Sequence, residues 1–287
     1  MCSDAKRTKC MILLIMITSL MIMTAGCGKG QDAQNGTYTM RIAIETGYAP
    51  FNWAQPTETD DAVPISGSTD YANGYDIMVA KKICEHNGWN LEVYKTDWDS
   101  IILGLQSNKY DAITSGMLIT DERKQTVNFS VPYYHANDCL LVRKDSPYAG
   151  IGSIQEAKGS RVVTQVDTMW DSAYIDQIED VTHLPPLTSV PEIIVAVQSD
   201  KADFGLLDTP SCMSACATNP DLTYVEFEEG KGFVLPEGQS NDMGIAVRKD
   251  DDKLLQGIND ALKDFDARMQ QEYMERAISI QPAMDAE

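Results

Sequence analysis

Hydrophobic and polar positions along this chain switch repeatedly between a period of two and a period near 3.6, which predicts alternating strands and helices. Tyr38 to Glu45 alternates as a strand does, and Gly74 to Asn87 carries Ile77, Ala80, Ile83 and Cys84 at helical spacing before Gly88 stops it. Leu91–Lys95 predicts the next strand, and Trp98 to Ser107 a short amphipathic helix through Ile101, Ile102 and Leu105. Asp111 to Ser115 is a brief strand ending at the polar elbow Thr114-Ser115-Gly116. Thr120 is then placed to cap a second helix whose first turn is Asp121-Glu122-Arg123. Between the first strand and first helix, Ala54 to Asn73 is polar and punctuated by Pro and Gly, so an ordered or semi-mobile surface loop is expected there.

Beyond Tyr134 the pattern starts again. Asp138–Lys144 and Arg161–Val166 predict strands, the second ending at Asp167-Thr168 ahead of a helix over Met169–Ile178. Ser189-Val190-Pro191-Glu192 reads as a capping box that starts a helix running to Gln198. Ala202–Leu206 is the next strand, with Asp208 at its exit. Met243–Lys249 follows as a strand, and Leu254–Phe265 and Arg268–Ile278 as closing helices. Twice, then, a helix start stands at the carboxyl end of a strand, where open α/β sheets bind ligands. Arg123 beside the first of these suits a small anion such as a carboxylate.

Composition adds bounds. The 287 residues are 43% hydrophobic, enough for two domains with cores of their own. A formal charge of −20 argues against nucleic acid or an anionic lipid surface as a partner. Lys6, Arg7 and Lys9 precede an apolar run, Met11 to Met23, that is short for a membrane span and reads as the core of an export signal. Thr24-Ala25-Gly26-Cys27 after it looks like a bacterial lipobox, Thr24 standing where an aliphatic residue is usual. Residues 1–26 are therefore expected to be a lipoprotein signal peptide, Cys27 the lipidated residue, and 27–36 a flexible tether. Cys84, Cys139, Cys212 and Cys216 read as buried thiols or one incidental bridge. The spacing Cys212-x-x-x-Cys216 has no second ligand pair, so no metal site is expected. His86, His135 and His183 pair with no nucleophile. No cofactor is called for.

The order W-D-x-x-I…L…K-Y-D-A-I…S-G-M…I-T-x-E-R…V-x-F-S-x-P-Y between Trp98 and Tyr133 resembles the polar amino-acid-binding proteins of ABC transporters, the extracellular solute-binding protein family 3. The likeness runs from about Tyr38 to Ile278. It implies an α/β, two-lobed, periplasmic-binding-protein-like type II fold with a two-strand hinge and a ligand cleft between the lobes. Lobe 1 would comprise 37–134 and 243–287, and lobe 2 would comprise 135–242.

The resemblance also implies roles. Arg123 would take a ligand carboxylate, helped by Ser115, Gly116 and Thr168, and Asp208 would take the α-ammonium from the other lobe. Tyr48 and Trp98 would cover the ligand, Glu45 would meet its side-chain end, and Leu118, Gln165 and Met169 would complete the wall. Leu118 and Met169 stand where the family usually has hydroxyl residues, Asp167 replaces a common Gly, and Trp170 adds an aromatic at the cleft. Glu45, Asp167 and Asp208 against a single Arg123 favour a cationic amino acid over glutamine or glutamate.

The function implied is a monomeric, membrane-anchored receptor on the extracytoplasmic face of a bacterial cytoplasmic membrane, delivering a polar amino acid to an ABC permease. A dehydratase on the same fold, with Asp167 or Glu45 as acid, and a sensory domain for a signalling partner are the alternatives. No second apolar span and no helix-turn-helix pattern appears, so a ligand-gated channel or a transcription regulator is not expected.

Overall fold

The computed structural model describes residues 37–282; the signal, the tether and Cys27 lie outside the described residues. Two five-stranded sheets form the framework. In the first, β1 (Thr39–Ile44) runs parallel to both β6 (Asn90–Lys95) and β7 (Ala112–Ile113). β16 (Ala246–Arg248) then pairs antiparallel with β7 and with β8 (Val127–Phe129). In the second, β11 (Arg161–Val163) lies parallel to β12 (Thr182–His183) and to β13 (Phe204–Asp208). β10 (Asp138–Arg143) is antiparallel to β13 and to β14 (Leu222–Val225). Parallel strands need crossovers, which explains the alternating strand and helix periods of the sequence.

The chain passes between the sheets twice, and the passages pair with each other. β9 (Tyr134–His135) and β15 (Asp242–Met243) form a two-stranded antiparallel ladder, Tyr134 opposite Met243 and His135 opposite Asp242. This is the two-strand hinge of a two-lobed type II binding-protein fold. The His135–Asp242 pair, 2.7 Å long, lies on its exposed side.

Several elements differ from the sequence reading. The helix expected after Thr120 is a single 3-10 turn, Arg123–Gln125. Thr120 does accept a bond from the Arg123 backbone N–H at 3.2 Å, but Val127 already enters β8, so nothing remains to propagate a helix. Met169–Ile178 is a π turn over Trp170–Tyr174 followed by a 3-10 turn over Ile175–Gln177. The Ala54–Asn73 loop is ordered, and it carries short strands that the sequence reading did not include. β3 (Asn52–Gln55), β5 (Tyr71–Asn73), β4 (Val63–Pro64) and β2 (Gly47–Tyr48) make a small antiparallel sheet, anchored to the first large sheet by the Ile65–Val93 bridge. The Met243–Lys249 strand breaks at Gly244-Ile245 into β15 and β16. A Cβ on Gly244 would come within 2.8 Å of Ile119.

Two local signals act as expected. Gly88 ends the helix Tyr75–Asn87 in the left-handed conformation. Ser189 and Glu192 form the capping box of the helix Val190–Gln198. Among the described residues Cys84, Cys139, Cys212 and Cys216 are free thiols, and no helix is long and apolar enough to cross a membrane.

Candidate ligand-binding site

The two large sheets end at a shared cleft, and the strand ends decide what faces it. From the first lobe come Glu45 and Tyr48 after β1, Trp98 after β6, and Gly116, Leu118 and Arg123 after β7. From the second come Gln165, Thr168, Met169 and Trp170 after β11, Asp208 at the end of β13, and Asp138 at the start of β10. Ala136, Asn241 and Met243 close the hinge side. These residues enclose a narrow cavity, with about 30 Å³ open to the centre of a water-sized sphere. On the Arg123 side the cleft widens into a groove of about 540 Å³ bordered by Asp99, Glu122, Asp167 and Asp171.

Hydrogen bonds cross the cleft directly. Tyr48 OH donates to Asp208 Oδ2 at 2.5 Å, Gln165 Nε2 donates to Glu45 Oε1 at 3.1 Å, and Arg123 donates to the Asp167 carbonyl at 3.0 Å. A solute of amino-acid size can fill so tight a cavity only by displacing some of these bonds.

Arg123 is partly buried, donates also to the Leu118 carbonyl at 2.9 Å, and lies 5.2 Å from the centre of the Trp98 ring. Burial brings its guanidinium down to about 10, still protonated at neutral pH. Asp208 is 1% exposed and caps the helix Thr209–Thr218 by accepting from the Ser211 N–H (2.9 Å) and hydroxyl (3.0 Å). Burial raises its carboxyl above the usual range despite these donors. Among the described residues neither group has an oppositely charged side chain as hydrogen-bond partner.

Ten of the eleven residues singled out from the sequence line the cavity. Ser115 does not. Its hydroxyl accepts from the Glu45 N–H at 3.1 Å and from Asn52 Nδ2 at 3.3 Å, so it holds the first-strand turn rather than facing a ligand. Thr168 lines the wall, yet its hydroxyl donates to the Gln165 carbonyl at 2.7 Å. The carboxylate donors expected at a helix N-terminus after Thr120 are not there, because that helix is one turn; Arg123 carries this corner. Asp167 corrects the charge count. Its backbone sits at φ 57° and the residue is exposed on the outer groove, outside the narrow cavity.

Asp138 and Asn241 do line the cavity and went unnoticed in the sequence. Their only signal is position, one at each end of the hinge. Trp170 faces the cavity as expected, its indole donating to Asp138 Oδ1 at 2.8 Å.

Behind the elbow lies a buried polar chain. The Gly116 N–H donates to Tyr133 OH at 3.0 Å, and Tyr133 OH donates to Asp76 Oδ1 at 2.6 Å. Asn52 Nδ2 donates to Asp76 Oδ2 at 2.8 Å. Gly116 has φ 57°, and a Cβ there would strike the Tyr48 ring at 2.3 Å, so glycine is what lets Tyr48 lie over the elbow. Burial raises Asp76 to about 7, against the opposing Tyr133 and Asn52 bonds, and raises Glu45 to about 7, against the Gln165 bond. Among the described residues no group of His, Cys, Asp and Glu could hold a metal ion.

Comparison with known proteins shows the family and the fold. Residues 40–276 match the profile of the bacterial extracellular solute-binding proteins, family 3. An arginine-binding extracellular protein of Bacillus subtilis is 27% identical over 265 residues, covering 89% of this chain and 92% of that protein. The crystal structure of an amino acid ABC transporter substrate-binding protein from Streptococcus pneumoniae bound to L-arginine superposes with a TM-score of 0.70 at 26% identity, over 84% of this chain and 94% of that one. An ancestral arginine-binding protein bound to glutamine gives 0.65 at 26% identity, over 84% and 96%.

The raised Asp76 and Glu45 pKa values set a pH dependence. Folded protein holds both protons more tightly than the unfolded chain, so their stabilisation is complete below about pH 4 and is lost as pH rises through about 7. The Asp76 proton alone accounts for up to about 4 kcal/mol. Thermal unfolding of ligand-free protein should show stability falling from roughly pH 4 to 7, with a flatter slope in Asp76→Asn and Glu45→Gln. An unchanged slope in both variants would contradict the assignment.

Proposed function

Since the chain belongs to the bacterial extracellular solute-binding proteins, family 3, we propose that it captures a cationic amino acid, arginine foremost, and closes around it for delivery to an ABC importer. Membership places it among extracytoplasmic solute-binding proteins and not enzymes, which sets the dehydratase alternative aside. The observation that carries the reading is the pair of charges Arg123 and Asp208. They come from opposite lobes, Asp208 is buried and Arg123 partly buried, and among the described residues neither has a counter-ion as hydrogen-bond partner. A zwitterion supplies both counter-charges at once, and by doing so joins the lobes. A planar guanidinium is well suited to a carboxylate.

The preference for a cation rests on the acids that face the cavity, Glu45, Asp138 and Asp208, against Arg123 as its one basic lining residue. Tyr48, Trp98 and Trp170 add aromatic surface for an alkyl stem or a guanidinium. Relatives named for arginine binding point the same way. One observation favours glutamine as a second reading: Glu45 already accepts from the side-chain amide of Gln165, so it could equally accept from a ligand amide.

Arg123→Ala and Asp208→Asn, the latter chosen to keep the helix cap, should each weaken arginine binding by roughly 3–5 kcal/mol while thermal unfolding shows the fold retained. Calorimetry against arginine, lysine, histidine, glutamine and glutamate checks both the site and the ligand class. Wild-type affinity in both variants would refute the site, and a clear preference for glutamine or glutamate would refute the cationic reading.

We also assign the membrane anchor to Cys27, on the lipobox-like Thr24-Ala25-Gly26-Cys27. Cys27→Ser should move the protein from the membrane fraction to the soluble one or leave unprocessed precursor. Correct cleavage with unchanged membrane retention would show that the anchor is elsewhere.

A further inference from the structure

Two carboxylates stand side by side on the second-lobe wall of the cavity. β10 and β13 are antiparallel, and Asp138 is the residue directly opposite Asp208 in their register. Directly opposed residues project from the same face of a sheet, with Cβ atoms about 5 Å apart, and like charges so placed repel. Both line the cavity.

Asp138 Oδ1 accepts from Trp170 Nε1 and Oδ2 from Asn241 Nδ2, both at 2.8 Å, and both donors are neutral. The Tyr174 hydroxyl lies against the same carboxyl and is neutral too. The donors on Asp208, Tyr48 and Ser211, are neutral as well. Two adjacent acids thus stand in one cleft, and among the described residues neither has a cationic side chain as hydrogen-bond partner. Burial raises both carboxyls, against the hydrogen bonds that each accepts.

We propose that Asp138 is a specificity-determining residue, forming with Asp208 a dicarboxylate rung that selects ligands of net positive charge over neutral isosteres. The inference rests on the reading that the cavity takes an amino acid, and it names the group that sets the charge of that amino acid. Within a closed cleft a charge several ångströms away still acts strongly, because little water intervenes to screen it.

The competing role for Asp138 is purely positional, holding Trp170 and Asn241 in place. Asp138→Asn separates the two, since its amide oxygen can still accept from the Trp170 indole while the charge is gone. Arginine and its neutral isostere citrulline are the probes, titrated calorimetrically into wild type, Asp138→Asn and Trp170→Phe, with thermal unfolding confirming that each variant is folded.

Wild type should prefer arginine. Asp138→Asn should weaken arginine roughly ten- to a hundredfold while changing citrulline less than about threefold, so the preference collapses. Trp170→Phe should shift both affinities together and keep the preference. Equal losses for the two ligands in Asp138→Asn, no loss at all, or the same collapse in Trp170→Phe would overturn the proposal. Wild type that binds neither ligand would refute the functional reading itself, and this inference with it.

Discussion

Arg123 and Asp208 carry opposite charges, face one cleft from two lobes, and do not meet. Taking a charge out of water without a partner is unfavourable by several kcal/mol, fully so for buried Asp208 and in part for the partly buried Arg123, so both groups have to be held firmly. Asp208 is held as the N-cap of the helix Thr209–Thr218, its oxygens occupied by Ser211 and Tyr48. Arg123 is held by two backbone carbonyls, one from each lobe, and by the Trp98 ring. Neutral dipoles thus orient each charge without neutralising it, and on the proposed reading neutralisation is left to the ligand.

The polar chain behind the elbow serves the same end. Asp76, Tyr133, Asn52 and Ser115 bond to one another or to the turns after β1 and β7, and they fix the backbone of Gly116 and Glu45. Tyr48 can then lie across Gly116 and reach over the cleft to Asp208. The cross-cleft bonds also moderate affinity. Because Tyr48, Gln165 and Arg123 already bridge the lobes, a ligand at the proposed site would exchange bonds with them instead of adding to an open surface, and its net gain would be smaller than its contacts suggest. A receptor that must release its solute needs such moderation.

Much of this was readable in the sequence, for identifiable reasons. The strand and helix periods follow from burial on one or both faces of each sheet, and Gly88 and the Ser189–Glu192 box are local signals that tertiary context did not override. The cavity residues followed from family resemblance, which preserves the positions of strand ends. The small antiparallel sheet was not legible, because strands of two to four residues carry no measurable period. Ser115 and Asp167 were misread because spacing locates a residue but not its side chain. A hydroxyl can be claimed by a neighbouring turn, and a left-handed backbone at Asp167 places an acid outside the cavity. Asp138 was missed for the opposite reason, since its link to Asp208 exists only in the register of two strands about seventy residues apart.

The central claim is that one zwitterion replaces the direct bonds between the lobes and pairs with both orphan charges. A crystal structure of the protein grown with arginine tests it most directly. The arginine carboxylate should lie on Arg123 and its α-ammonium on Asp208, with the Tyr48 hydroxyl displaced from that carboxylate. Arginine bound elsewhere, or an intact Tyr48–Asp208 bond beside bound arginine, would contradict the account.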